Sequence, residues 1–252
     1  MVDFYIHQLK GSEIGNFINA TPTIYSLYNH YKEKIPVNFD SPHVEQMFLD
    51  WDAIRIIGKK GVRTKGLRKL FHSGMTNTQQ PDWLWMHQKI RRELGIKNSC
   101  VPHTYVDTPK PFLEGNYVVL LRGCLHNSAW KRHKECGDEI YRYMIKKVPY
   151  KIIFVGSDYD VNVINKMKQW NLNHEVYLND TRKTLALING AKFIIGNDTG
   201  MYHAAGAMNK HIFVLWKSTN FKKNKSPGKN CFYSFSKNWV SDFDRWLNAN
   251  IR

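Results

Sequence analysis

Short, continuous apolar runs recur along this chain, and each is followed by a segment of helical period. The clearest runs are YVVLLRG at 117–123, KIIFVGS at 151–157, KFIIGND at 192–198 and HIFVLWKST at 211–219. A strand that is apolar at every position has both faces covered, which marks a parallel sheet lying between helices. The segments between these runs are residues 133–147, VNVINKMKQW, TRKTLALING and GMYHAAGAMN, and they read as helices. EVYL reads as a further short strand, HIFVLWKST as the last core strand, and SDFDRWLNAN as a terminal helix. The first part of the chain alternates in the same way. DFYIHQL, VNFD and AIRII read as strands, HVEQMFLDW as a short helix, and DWLWMHQKIRRELGI as a helix ending at Gly95. Thr21 before Pro22 predicts a helix start, because Thr caps well and Pro suits the first turn. Strand–helix alternation of this kind implies an α/β architecture.

The 252 residues suffice for one large domain or two small ones. Residues 97–116 contain Pro102, Pro109 and Pro111 without a clear period, so they separate two halves. The expected organisation is an N-terminal half over 1–108, a linker over 109–116, a C-terminal half over 117–235 and a terminal helix over 236–252. No apolar run approaches the ~20 residues that span a bilayer. The start, MVDFYIHQLKGSE, lacks the basic opening and long apolar stretch of a signal peptide. Cys100, Cys124, Cys136 and Cys231 are scattered with no CxxC, which argues against zinc and fits reduced thiols. The expected location is cytoplasmic.

Charge narrows the partners. Lys and Arg number 37 against 21 Asp and Glu, a balance of +16. Such an excess repels itself unless it meets a polyanion. Lys59, Lys60, Arg63, Lys65, Arg68 and Lys69 form one acid-free run, and Lys217, Lys222, Lys223, Lys225 and Lys229 another. Solvated surface loops are one reading of these runs. An anionic partner is the other: nucleic acid, a phosphorylated glycan or a membrane surface.

The sharpest local feature is IIGNDTGMYHAAGAMNKHIFVLWKST, residues 194–219. A buried strand turns through Asn197, Asp198, Thr199 and Gly200 directly into a helix of small residues. Small residues let the backbone approach a ligand, and the free N–H groups and dipole at a helix start favour an anion such as phosphate. His203 follows Thr199 by one helical turn, on the same side. The competing reading is that Asp198 only caps the helix and Ala204, Ala205 and Gly206 only allow close packing.

The pattern D-T-G-x-x-H-x-A-A, followed by an apolar strand and a Thr, resembles the heptosyltransferases of glycosyltransferase family 9. Other stretches are similar to that family in the same order. Lys10 to Asn16, then Ala20-Thr21-Pro22 and Leu27, resemble its first loop and helix. Ala129 to Arg132 resemble a segment holding a phosphate-binding Lys. Phe154 to Ser157 resemble a Gly-ended strand before an acidic ribose contact, and Thr184 to Ala191 the helix before the D-T-G turn. The resemblance implies an α/β fold of the GT-B kind, two Rossmann-like halves facing a central cleft, here with a reduced N-terminal half. It implies an inverting, metal-independent glycosyltransferase that needs no cofactor, with a nucleotide-diphosphate sugar as donor substrate bound by the C-terminal half. Lys131, Asp198, Thr199, Gly200, Met201 and His203 would serve the donor phosphates, and Asp158 or Asp160 the ribose. In such enzymes the terminal helix crosses back to the first half.

The same resemblance exposes a departure. The family's Gly-Asp pair in the first loop supplies the general base, and this chain has Gly15-Asn16 there. A neutral amide cannot take a proton. Glu13, in the same loop as Asn16, is the substitute the sequence offers, with Asp3 and Asp40 weaker ones. The family's usual acceptor is the phosphorylated inner core of lipopolysaccharide. A shortened and strongly basic enzyme of this kind could instead glycosylate hydroxymethylated bases of phage DNA. The run from Lys59 to Lys69 would then track the backbone while Trp83 and Trp85 stack on a displaced base. Core packing of an amphipathic helix is the plainer reading of those tryptophans. The sequence reading leans to DNA. Its alternatives are a lipopolysaccharide-core heptosyltransferase-like enzyme and a degenerate protein that binds nucleotide or nucleic acid without turnover.

Overall fold

The computed structural model describes residues 2–8, 14–57, 68–72, 82–97, 103–113, 116–123, 134, 136–171, 173–217, 219–235 and 237–251. The chain divides into two compact units. The first comprises Met1–Asp107 with Lys222–Pro227, and the second Thr108–Phe221 with Gly228–Arg252.

The first unit is built on a sheet of four parallel strands, in the order β3-β2-β1-β4. These are β1 (Phe4–Gln8), β2 (Ile35–Phe39), β3 (Ile54–Ile56) and β4 (Arg68–His72). Its helices are α1 (Ile14–Tyr31), α2 (Pro42–Glu45) and α3 (Asp82–Leu94). Two features differ from the sequence expectation. β4 lies in the basic stretch that carried no strand signal. α1 starts at Ile14, so Thr21 and Pro22 sit inside the helix and not at its start. Proline has no N–H to offer the carbonyl four residues back. Here that carbonyl belongs to Ile18, and the Thr21 hydroxyl donates to it at 2.6 Å. The pair that reads as a start signal is a repaired break. α3 ends as expected at Gly95, whose φ of 67° turns the chain so that Ile96 N donates to Arg91 O at 3.0 Å.

The second unit holds six parallel strands in the order β10-β9-β8-β5-β6-β7. They are β5 (Tyr117–Leu121), β6 (Lys151–Gly156), β7 (His174–Leu178), β8 (Phe193–Asn197), β9 (Ile212–Trp216) and β10 (Cys231–Phe235). Its helices are α4 (Asp138–Lys147), α5 (Val161–Lys168), α6 (Thr181–Gly190), α7 (Gly200–Ala207) and α9 (Trp239–Asn250), while the short α8 (Phe221–Asn224) begins the segment that belongs to the first unit. Alternate residues of each central strand enter opposite cores. Val118 and Leu120 of β5 join Tyr141 and Met144 of α4, Ile164 of α5, and Phe243, Trp246 and Leu247 of α9. Val119 and Leu121 join Leu187 and Ile188 of α6 with Tyr202 and Ala205 of α7. β9 is not the last strand of the sheet, because β10 pairs alongside it in parallel.

One core-edge charge has a measurable consequence. Arg122 follows β5, is buried, lies over the Tyr141 ring and donates to Asp138 Oδ1 at 2.7 Å. Lys166 pairs with the other oxygen of Asp138. Hydrogen bonding from Lys166, then from Arg122, holds the Asp138 carboxyl below its ordinary value of 3.8. A carboxyl whose folded value is lowered adds stability above its unfolded value and loses it as pH falls through the folded one. The Asp138→Asn variant should therefore be less stable than the wild type at neutral pH. The gap should close as the pH falls below about 4. Thermal melts of both proteins across that range test this, and a pH-independent gap would contradict it.

Candidate functional site

The sheet of the second unit reverses its winding once. From β5 the chain proceeds outward through β6 to β7, then returns to place β8 on the other side of β5 and winds outward to β10. Open parallel sheets bind ligands outside the carboxyl ends of the strands that flank this reversal. Those ends are Arg122-Gly123 after β5 and Asn197-Asp198-Thr199 at the end of β8.

Asn197 locks the two ends together. Its Oδ1 accepts from Gly123 N at 3.3 Å, and its Nδ2 donates to Gly123 O and to Lys134 O, each at 3.1 Å. The strands approach closely because of glycine. A Cβ on Gly196 would stand 2.9 Å from Leu121 Cβ and 3.0 Å from Leu121 O, and one on Gly123 3.1 Å from Thr199 Cγ2.

Asp198 is buried, and its Oδ2 lies 3.0 Å from Lys134 Nζ. The same oxygen accepts from Thr219 Oγ1 at 2.6 Å. Thr219 is itself tied back to β9, because Trp216 Nε1 donates to its carbonyl at 2.9 Å. An isolated carboxylate here would repel an anion. Paired with Lys134 it is neutralised, so the helix start that follows keeps its attraction. Thr199 is the N-cap of α7, its Oγ1 accepting from Tyr202 N at 3.4 Å. Gly200 and Met201 are half-buried at the first helical positions, where N–H groups have no partner within the helix. His203 is buried one turn further on, beside Tyr202. Burial pushes the Tyr202 phenol well above its ordinary value, so it stays neutral.

The two ribose candidates have separate surroundings. Asp160 is buried, and its Oδ2 accepts from Ser157 N at 2.8 Å and Ser157 Oγ at 2.9 Å, closing the turn after β6. Asp158 is exposed. It exchanges two hydrogen bonds with Asn179, at 2.6 and 3.1 Å, across the carboxyl ends of β6 and β7. The Asp158 carboxylate is thus the more accessible of the two.

In the first unit Asn16 is half-buried in the first turn of α1, and Asp3 is exposed. Asp40 follows β2 and stands 3.0 Å, Oδ1 to Nε2, from His7 at the end of β1. Gln8 holds this corner: its carbonyl accepts from Asp40 N and its Oε1 from Ser41 N, both at 3.0 Å. Arg68 and Lys69 lie on β4 and Trp83 and Trp85 on α3. Glu13, Lys59, Lys60, Arg63, Lys65 and Lys131 lie outside the described residues. The structure thus brings Asp198, Thr199, Gly200, Met201 and His203 together around one turn, with Asp158 and Asp160 after β6, on the far side of β5 from that turn. Sequence reasoning missed Lys134, which pairs with Asp198. Lys134 belongs to the same basic stretch as Lys131, and nothing local distinguishes the two. Among the described residues no helix is long and apolar enough to cross a membrane, and no group of three or more His, Cys, Asp or Glu could hold a metal ion.

Comparison with known proteins bears on this arrangement. Residues 139–245 match the profile of glycosyltransferase family 9 (heptosyltransferase). No curated protein matches the chain. Among solved structures, the Escherichia coli heptosyltransferase WaaC with ADP is 13% identical, with a TM-score of 0.73 over 98% of this chain and 99% of its own. The E. coli ADP-heptose lps heptosyltransferase II is 12% identical, with a TM-score of 0.70 over 98% of each chain. A glycosyl transferase family 9 structure from Veillonella parvula is 11% identical, with a TM-score of 0.69 over 100% of this chain and 92% of its own. The chain has a GT-B-like fold with a smaller N-terminal sheet, the fold of the heptosyltransferases, and the match to their family runs through the unit that carries the β8–α7 turn.

Proposed function

We propose that this chain is an inverting glycosyltransferase. Its second unit binds a nucleotide-diphosphate sugar, and its first unit binds an acceptor that carries a hydroxyl and negative charge. The observation that carries this reading is the β8–α7 turn at the winding reversal, where a neutralised Asp198 precedes an open helix start. A diphosphate leaving group gains charge as the glycosidic bond to it breaks, so it needs fixed positive potential in place beforehand. The N–H groups of Gly200 and Met201, the Thr199 hydroxyl and His203 supply donors, and Lys134 or Lys131 a point charge. Asp198 acts through Lys134 and Thr219, holding the turn. Asp158 is the group for the nucleotide ribose, with Asp160 shaping the loop beneath it. Neither a metal nor a bound cofactor is required by this chemistry.

The acceptor we favour is a phosphorylated glycan, because the solved structures similar to this chain include an ADP-heptose lps heptosyltransferase. The balance of +16 and the run Lys59, Lys60, Arg63, Lys65, Arg68 and Lys69 suit such a polyanion. The lean of the sequence toward phage DNA rests on the short chain, the charge, the missing loop base and the tryptophans Trp83 and Trp85, and a phosphorylated glycan meets the charge equally well.

The test is direct. The protein is incubated with a panel of nucleotide-diphosphate sugars that includes ADP-heptose. A phosphorylated lipopolysaccharide core or hydroxymethylated DNA is added, and the acceptors are weighed by mass spectrometry. A sugar-sized gain on the glycan is the expected result. A gain only on DNA would replace the acceptor, and nucleotide binding without gain or donor loss would replace the enzyme by a binding protein.

A further inference from the structure

The second acid-free run of the sequence has no part in the site described above. From Thr199 to Ser241 the chain carries seven lysines and no Asp, Glu or Arg. Two of these lysines stand at the carboxyl end of β10, the edge strand of the second unit's sheet. Lys217 is exposed and follows Trp216, the register partner of Phe235. Lys237 is exposed two residues beyond Phe235. Asn238 N donates to Phe235 O at 3.2 Å, so the chain turns tightly here into α9. The same turn presents two apolar side chains to water, Phe235 being 49% exposed and Val240 40%. Phe235 is braced from behind. Its ring meets that of Phe221 edge-on at 5.2 Å, and Phe221 meets Tyr233 at 4.9 Å and Trp216 at 5.4 Å. The acids that follow on α9 are engaged. Asp242 accepts from Ser234 Oγ and pairs with Arg245, and Asp244 accepts from the Tyr143 hydroxyl.

Lysines beside an edge strand guard it against a further strand, which accounts for the charge. Guarding does not call for an exposed Phe and Val among them. A second copy of this chain is a poor occupant, because the same lysines would meet one another. Nucleic acid is read best by arginine, whose planar group pairs with phosphate and base edges, and no arginine occurs between Arg182 and Arg245. Lysine is a point charge that suits a diffuse negative surface, and apolar side chains between such charges suit the boundary of head groups and acyl chains. We propose that this corner of the second unit docks on an anionic lipid bilayer. Phe235 and Val240 enter the head-group layer, and Lys217 and Lys237 rest among the lipid phosphates. Nothing in this docking depends on sugar transfer.

The experiment sediments the full-length protein with vesicles of phosphatidylcholine alone and of phosphatidylcholine mixed with phosphatidylglycerol. Binding to the mixed vesicles only is the expected result. Each lysine near such a surface contributes about fivefold in affinity, so Lys217→Gln with Lys237→Gln should weaken binding at least about tenfold. Phe235→Ser with Val240→Ser should weaken it by about tenfold through lost apolar burial. Rising salt should shrink the first loss and leave the second. Both variants should keep the wild-type melting temperature and nucleoside diphosphate affinity, which separates a lost surface from a damaged fold. Lys59→Gln with Lys60→Gln removes equal charge from the other basic run and should cost less than about threefold. An equal loss there would reduce the effect to net charge and overturn the docking surface. So would a failure to bind the mixed vesicles. Duplex DNA binding that the Lys217 and Lys237 changes weaken while vesicle binding stays unchanged would give the corner to nucleic acid instead. A dimer that the Phe235 and Val240 changes dissociate, again with vesicle binding unchanged, would give it to a second copy.

Discussion

Replacing Lys134 with methionine should lower the melting temperature of the second unit by about 10 °C and abolish nucleoside diphosphate binding. The side chains of Lys134 and Asp198 are 7% and 5% exposed. Removing one partner of a buried pair leaves the other charge uncompensated, at a cost of ~3–5 kcal/mol. In a chain of this size each kcal/mol moves the melting temperature by roughly 2–4 °C. The lost cation would also leave the Asp198 carboxylate facing any phosphate that approaches α7. Both effects share one cause, so a second change should relieve them together. The double variant Lys134→Met with Asp198→Asn should recover most of the stability but little of the affinity, since the positive charge remains absent. Differential scanning calorimetry and titration with a panel of nucleoside diphosphates measure the two quantities. A Lys134→Met protein that melts with the wild type would show that the pair does not hold the turn.

Gly196→Ala should be nearly as damaging, through geometry alone. The added methyl would stand 2.9 Å from Leu121 Cβ and 3.0 Å from the Leu121 carbonyl oxygen. Neither is the far end of a flexible side chain, so β5 and β8 must separate. Overpacking of this kind costs ~1–3 kcal/mol. The separation would fall one residue before Asn197, whose bonds to Gly123 span the same seam. Nucleoside diphosphate affinity should therefore drop at least about tenfold, as expected when the ligand groups move by a fraction of an ångström. Unchanged affinity with lowered stability would mean that the seam can give without moving the turn.

The parts of this molecule that were legible in the sequence are those whose causes are local. β5, β6, β8 and β9 announce themselves because they are buried on both faces and are apolar nearly throughout. The β8–α7 turn is legible because a strand, a cap and a small-residue helix follow one another without a break. β4 and β10 were not legible: RKLFH and CFYSF mix apolar with polar residues, and each strand lies at a sheet edge. α1 was misread at its start because Thr21-Pro22 has the chemistry of a cap, whereas the Thr21 hydroxyl fills the gap that Pro22 leaves. Lys134 escaped for a different reason. It pairs with a carboxylate distant in sequence, and no spacing rule links Lys134 to Asp198.

The bracket that Asn197 forms with Gly123 joins residues 74 positions apart, and the strands between them are all inserted on the far side of β5. Every pairing in this sheet is parallel, so no hairpin can form first and serve as a template. Gly123, Lys134, Asn197 and Thr219 meet only when β5 has found β8 across that insertion. During synthesis, the proposed nucleotide site therefore cannot exist before Thr219 has left the ribosome. From that moment a nucleotide ligand draws the chain toward its folded form by mass action. On the proposed function, donor capture would bias a newly made chain toward the folded second unit that β10 and α9 then complete.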